Sequence, residues 1–198
     1  MCGNCLQGQG IRGGQLLYIY GLFTLLRHPC GMSNYRRFRA KGATYFFTVS
    51  LADRGRETLT DNIDMLRHVY ALAARSRPVQ TDAIVILPDH LHCIWTLPEG
   101  DMDFSTRWGA IKSRFTRAVK GRVGFHPTNR SASKIKKGDA GIWQRRFWEH
   151  CIRDEADFRE HMRYCWHNPV KHGLVENPEE WLYSSIHRDI KNGTYDPL

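Results

Sequence analysis

The sequence predicts an α+β fold: an antiparallel sheet of ferredoxin-like, RRM-like order with helices on one face. Two observations carry this. β-branched and aromatic runs alternate with amphipathic runs in the order β-α-β-β-α-β-α. The second and third strand runs are separated by only a short "DH"-type turn, which forces a hairpin. No internal repeat is visible.

The elements follow in order. "ATYFFTVSLA" is rich in β-branched and aromatic residues and reads as a strand. "DNIDMLRHVYALAARSR" places Ile63, Leu66, Val69, Tyr70 and Leu72 at helical spacing, with an Asp at its start. "QTDAIVILP" and "HLHCIWTLP" are the paired strands of the hairpin. "DFSTRWGAIKSRFTRAVKGR" is a second helix, with Trp108, Ile111, Phe115 and Val119 in one stripe and Lys/Arg opposite. Residues 122–140 are basic and Gly/Ser-containing and read as a mobile loop. "IWQRRFWEHCI" reads as a fourth strand. "DEADFREHMRYCWHN" is a third helix with acids in its first turn, as the helix dipole prefers. A short, partly helical tail follows.

Composition bounds the function. The 198 residues suffice for one domain with a real core. The 29 Lys+Arg against 20 Asp+Glu attract polyanions, nucleic acid first and anionic membrane second. Of six cysteines, only Cys2 and Cys5 form a C-x-x-C pair, and no second pair completes a zinc site. Cys30, Cys93, Cys151 and Cys165 sit in apolar contexts and read as buried thiols. That is a reduced, cytosolic pattern. The apolar run Gln15 to Leu26 is too short for a membrane span, which needs ~20 residues. No clean export signal is present. Residues 1–31 hold no acid and are rich in Gly and Cys. They read as an appendage, disordered or the product of an upstream start codon. Residues 32–198 then form the domain.

Two places carry candidate chemistry. In "LPDHLHCIW", strand alternation points His90 and His92 to one face and Leu91, Cys93 and Trp95 to the other. Two imidazoles so placed either share a metal or are ordinary strand histidines, and spacing alone leaves both open. On the third helix the apolar stripe is Phe158, Met162, Cys165 and Trp166. Tyr164 lies away from it, with Asn168 one turn on and His161 and Asp157 continuing the row backwards. Such a tyrosine is either a half-buried surface group or a nucleophile. Pro169 pushes Asn168 away from helical geometry, so Asn168 is expected to cap or end the helix.

The segments "MSNYRRFRAKGATYFFTVSL", "LPDHLHCIWTLPEGDMDFSTRWGAIKSRFT", "IWQRRFWEH" and "YCWHNPVKHGLV" resemble the REP-associated tyrosine transposases. These are single-tyrosine members of the HUH (His-hydrophobic-His) endonucleases. The resemblance runs from about Met32 to about Asp189, with residues 122–140 longer than the family leads one to expect. It implies the HUH endonuclease fold and a metal-dependent single-stranded DNA endonuclease and strand-transferase. His90, His92 and Asn168 would hold Mg²⁺ or Mn²⁺, and Tyr164 would form a 5′-phosphotyrosine. His161, one turn before Tyr164, is placed to activate the tyrosine, a role read from its position and not from the resemblance. The implied partners are DNA hairpins of palindromic repeats with a tetranucleotide beside the foot. No membrane partner is implied, and monomer and homodimer both stay open. The implied location is cytoplasmic, with the nucleoid.

Basic residues offer the DNA contacts. Arg36, Arg37, Arg39 and Lys41 form an arm before the first strand. Lys112, Arg114, Arg117 and Lys120 lie on the polar side of the second helix. Arg145 and Arg146 flank the fourth strand, on opposite faces by alternation. Trp143, Phe147 and Trp148 either stack on bases or fill the core. Three other readings compete. A domesticated hairpin-binding protein without active transposition has no need of all of His90, His92 and Tyr164. A replication-initiator or relaxase-type enzyme would bring a helicase region. An RRM-like RNA binder would carry paired aromatics on its central strands.

Overall fold

The computed structural model describes residues 38–120, 132–136 and 140–196, apart from the side chains of residues 133 and 134. Arg36, Arg37, the appendage 1–31 and most of the loop 122–140 lie outside the described residues. The elements are β1 (Thr44–Ser50), α1 (Thr58–Asp61), α2 (Ile63–Ser76), β2 (Gln80–Ile86), β3 (His90–Thr96), α3 (Phe104–Val119), α4 (Ala132–Lys136), β4 (Trp148–Cys151), α5 (Glu155–Lys171) and α6 (Ile186–Lys191), with a 3-10 turn at Pro178–Glu180. The helix α4 falls inside the stretch expected to be loop. No helix among the described residues is long and apolar enough to cross a membrane.

The four strands form one antiparallel sheet in the order β2-β3-β1-β4. This is the split βαβ order that the sequence predicts. The hairpin places His92 opposite Val85 on β2 and Thr48 on β1. On one face, Tyr45, Phe47, Leu91, Cys93 and Trp95 meet Leu66 and Val69 of α2 and Trp108, Ile111 and Phe115 of α3. Trp95 and Trp108 stack there at 4.3 Å and 10°. The other face is not bare. Phe46, Ala83, Val85 and Ile94 pack against Met162, Cys165 and Trp166 of α5. Thus α2 and α3 share one face, and α5 crosses the face that carries the histidines.

The fourth strand is shorter than its sequence pattern suggests. Trp148–Cys151 pairs with β1, while Trp143 makes only an isolated bridge to Leu51. From Thr48 to Leu51 is three steps on β1, but from Trp148 back to Trp143 is five, so two residues are extruded as a lobe. Lys112 Nζ holds this lobe by the carbonyls of Gln144 at 2.6 Å and Arg145 at 3.4 Å. Phe147 turns its ring into the core beside Phe47. Arg145 and Arg146 therefore both sit exposed on the lobe, and strand alternation does not divide them.

The helix α5 also departs from expectation. It runs through Asn168 and Pro169 to Lys171, so Asn168 neither caps nor ends it. Gly173 closes it at φ +67°, with Gly173 N–H donating to Val170 O at 2.9 Å and Leu174 N–H to Pro169 O at 3.0 Å. That is a Schellman closure one turn beyond the proline. Pro169 sits in the last turn, where it removes one amide from a helix already anchored by Cys165 and Trp166. At the other end Asp154 accepts from Asp157 N–H.

Candidate active site

His90 and His92 project from β3 on the α5 side and are 4% and 3% exposed. Their rings lie 5.0 Å apart, edge to face. Each is held through Nδ1. His90 Nδ1–H donates to Asp89 Oδ1 at 2.5 Å. His92 Nδ1 lies 2.9 Å from Thr48 Oγ1, its cross-strand partner. In the tautomer that leaves a lone pair on Nε2, this N–H donates to Thr48. His92 Nε2 is buried with no hydrogen-bond partner among the described residues. A buried ring nitrogen left bare while its twin is fixed is the arrangement of a metal-ligating histidine.

Asp89 is itself held from behind. Arg54 Nε donates to its Oδ2 at 2.7 Å and Gly55 N–H at 3.0 Å. Gly55 reaches it from a left-handed turn, φ +96°. Burial raises the Asp89 pKa, but the bonds from His90, Gly55 and Arg54 bring it below the usual carboxylate range. The histidines shift the other way. Burial lowers His90 despite Asp89. Burial lowers His92 further, helped by His90, His172, Lys171 and Arg54. Both imidazoles are thus neutral at neutral pH, the form a metal requires.

The α5 helix delivers the remaining groups. The Tyr164 ring lies 5.1 Å from His92 and 5.7 Å from Phe46. Burial raises its pKa, and the neighbouring Asn168 amide lowers it in part. Asn168 is 1% exposed, and neither its Oδ1 nor its Nδ2 has a well-formed hydrogen bond among the described residues. A buried amide lacking both bonds is costly unless a ligand takes its oxygen. The bare His92 nitrogen and this amide fit a divalent cation that also takes phosphate or water oxygens. Lys171 Nζ stands 5.1 Å over the Tyr164 ring. The His172 ring is 5.1 Å from His90.

His161 is placed differently. Its Nδ1 lies 2.8 Å from Asp157 O and 3.2 Å from Asp157 Oδ1, and its ring stacks on His150 and leans on Phe46. His150, Asp157 and His161 bring ligand-type atoms within 4.8 Å of one another. These atoms are already engaged: Asp157 Oδ2 accepts from His150 Nε2 at 2.8 Å and from Arg153 Nε at 3.0 Å. The cluster is a hydrogen-bonded brace, whereas the β3 pair keeps a nitrogen bare.

The basic residues spread around the fold. Arg39 donates to Ser105 Oγ and covers the Phe104 ring. Lys112 and Arg114 lie on α3, across the sheet from the histidines, and are only half-exposed. Lys41, Arg117 and Lys120 are exposed. Residue-by-residue reading did not single out Asp89, Thr48, Arg54, Lys171 or His172. Asp89 precedes His90, and Lys171 and His172 stand two turns beyond Tyr164, so helical spacing was an available signal. Thr48 depends on strand register, which spacing does not reveal.

No family model matches the chain. Curated relatives do. A REP-associated tyrosine transposase of Escherichia coli (strain K12) is 47% identical over 164 residues, covering 83% of this chain and 88% of the relative. A relative from Haemophilus influenzae is 46% identical over 164 residues, covering 83% of this chain and 91% of its own. A solved REP-associated tyrosine transposase bound to a REP hairpin superposes with a TM-score of 0.72 at 46% identity, covering 84% of this chain and 90% of that one.

Proposed function

Because the chain belongs to the REP-associated tyrosine transposases, we propose that it nicks and rejoins single-stranded DNA at palindromic hairpin repeats. In this reading it is a metal-dependent endonuclease and strand-transferase working through a 5′-phosphotyrosine. One observation supports this most directly: a buried histidine with a bare Nε2 lies 5.1 Å, ring to ring, from a tyrosine on another element. The DNA partner is taken over from the solved relative that holds a REP hairpin.

His90, His92 and Asn168 would hold the cation. A bound Mg²⁺ or Mn²⁺ supplies Lewis-acid polarisation of the scissile phosphate. Tyr164 attacks in line. The Oη–P bond forms as the P–O3′ bond breaks; the phenol proton goes to water, and the 3′-oxygen takes one from water. A 3′-OH attacking the phosphotyrosine reverses the step, so rejoining needs no external energy source. The raised Tyr164 pKa keeps the phenol protonated until positive charge gathers beside it. Lys171, over the ring, contributes part of that charge. His161 acts through Phe46 and the brace as a positioning residue.

Tyr164→Phe is expected to abolish nicking of a hairpin oligonucleotide while leaving hairpin affinity within about twofold. Unchanged nicking removes Tyr164 as the nucleophile. EDTA should stop nicking. Mn²⁺ should restore it at least as well as Mg²⁺, because two of the three donors are imidazoles. Activity surviving in EDTA removes the metal role.

A further inference from the structure

On the face that carries the candidate active site, one large aromatic among the described residues remains outside both cores. Trp148 is 38% exposed, at the start of the edge strand β4. The two other aromatics of this segment are committed elsewhere. Trp143 is 5% exposed and packs on Phe115, and Phe147 packs beside Phe47 and Trp108. Leaving an indole in water forgoes the burial that normally makes Trp a core residue.

Trp148 is nonetheless braced. His150, two residues on, lies parallel behind it at 6° and 6.0 Å between centroids. His161 lies parallel behind His150 at 13° and 4.9 Å. The His150 ring is fixed by Nε2 donating to Asp157 Oδ2 at 2.8 Å, and Asp157 is buried. Arg153 holds the same oxygen through its side chain and its backbone N–H, each at 3.0 Å. The Phe46 ring meets Trp148 at 5.8 Å between centroids and 70° between planes. With these contacts in place the indole stays 38% exposed. On the sheet, Trp148 pairs with Thr48, and Thr48 pairs with His92. Two strand spacings separate the indole from the histidine backbone, about 10 Å.

We propose that Trp148, backed by the His150–His161 stack, is a stacking platform for one unpaired nucleobase flanking the scissile phosphate. This rests on the nuclease reading above and adds a base subsite to it. Every base has a π-face, so a rigid indole holds a flanking nucleotide without reading its edge. The Asp157 brace keeps the platform in plane before DNA arrives, so little ordering cost falls on binding. Base identity is then read elsewhere, and Trp148 sets where the strand lies relative to His92.

The test uses the full chain and a DNA hairpin with a short single-stranded foot, carrying 2-aminopurine or an abasic site at each foot position in turn. At one position, 2-aminopurine fluorescence should be quenched on binding the wild type. The quench should persist in Trp148→Phe and be lost in Trp148→Leu, which keeps the apolar bulk without a π-face. An abasic site at that position should weaken wild-type binding roughly tenfold, with no further loss in Trp148→Leu. Additive abasic and Trp148→Leu penalties at every position, or quenching indifferent to Trp148→Leu, overturn the platform alone. Failure of the wild type to bind the hairpin overturns the nuclease reading, and the platform with it.

Discussion

At the scale of single residues, the site is built from partners that fix each histidine. Asp89 and Thr48 hold the Nδ1 atoms of His90 and His92 and leave Nε2 for a ligand. Asp89→Asn and Thr48→Val should each weaken Mn²⁺ binding about 10- to 100-fold by titration calorimetry. Hairpin affinity in EDTA should be unchanged. Unaltered Mn²⁺ affinity in both would deny the histidines their ligand role. The histidines were legible in the sequence because strand alternation alone puts residues 90 and 92 on one face. Their supports were not equally legible. Thr48 is 44 residues from His92, and only the register of β1 on β3 joins them. Asn168 shows the opposite failure. A sound local rule about residues before proline gave way to the packing of α5 and its Gly173 closure.

At the scale of elements, α5 carries both Tyr164, the proposed nucleophile, and the brace that seats its N-terminal half on β4. Asp157 is the hub of that brace, contacting His150, Arg153 and His161. Burial pushes its pKa up, but Arg153 and His150 hold it well below the ordinary carboxylate range. Its unfolded value is near 3.9, so its contribution to stability is present above about pH 4 and is lost as pH falls toward the folded value. Asp157→Asn should therefore cost about 1–3 kcal/mol at neutral pH. It should also flatten the decline of stability below about pH 4 in denaturant titrations. A variant whose acid limb parallels that of the wild type would remove Asp157 as the hub. The helix periods of α2, α3 and α5 were readable because each has a stripe of buried apolar residues. The two residues extruded before β4 were not, because the composition of "IWQRRFWEHCI" continues across the lobe while its pairing does not.

At the scale of the whole molecule, a net charge of +9 sets how DNA is held. The logarithm of hairpin affinity should fall linearly with the logarithm of salt, with a slope of about −0.7 for each single-strand phosphate neutralised. Arg145 and Arg146 stand exposed on the lobe beside β4. Replacing both with Gln should make that slope shallower by about one to two phosphates, with nicking at saturating DNA retained. An unaltered slope would place the DNA path elsewhere. The family and fold were readable at this scale because several motifs occur in order along one chain. The path of the DNA was not, because charge alone does not say which cations share a face.

The segment after α5 has a further consequence. Ile86 N–H donates to Tyr183 O and Ser185 N–H to Ile84 O, so the outer rim of β2 is already occupied. A few residues on, Asp189 accepts from the Trp166 indole of α5. A fragment stopped just after "YCWHNPVKHGLV" would keep every proposed ligand and the tyrosine, yet bare that rim as a template for other chains. The shortest self-sufficient domain thus extends past residue 189, and its resistance to aggregation resides in a stretch that follows every proposed ligand and the tyrosine.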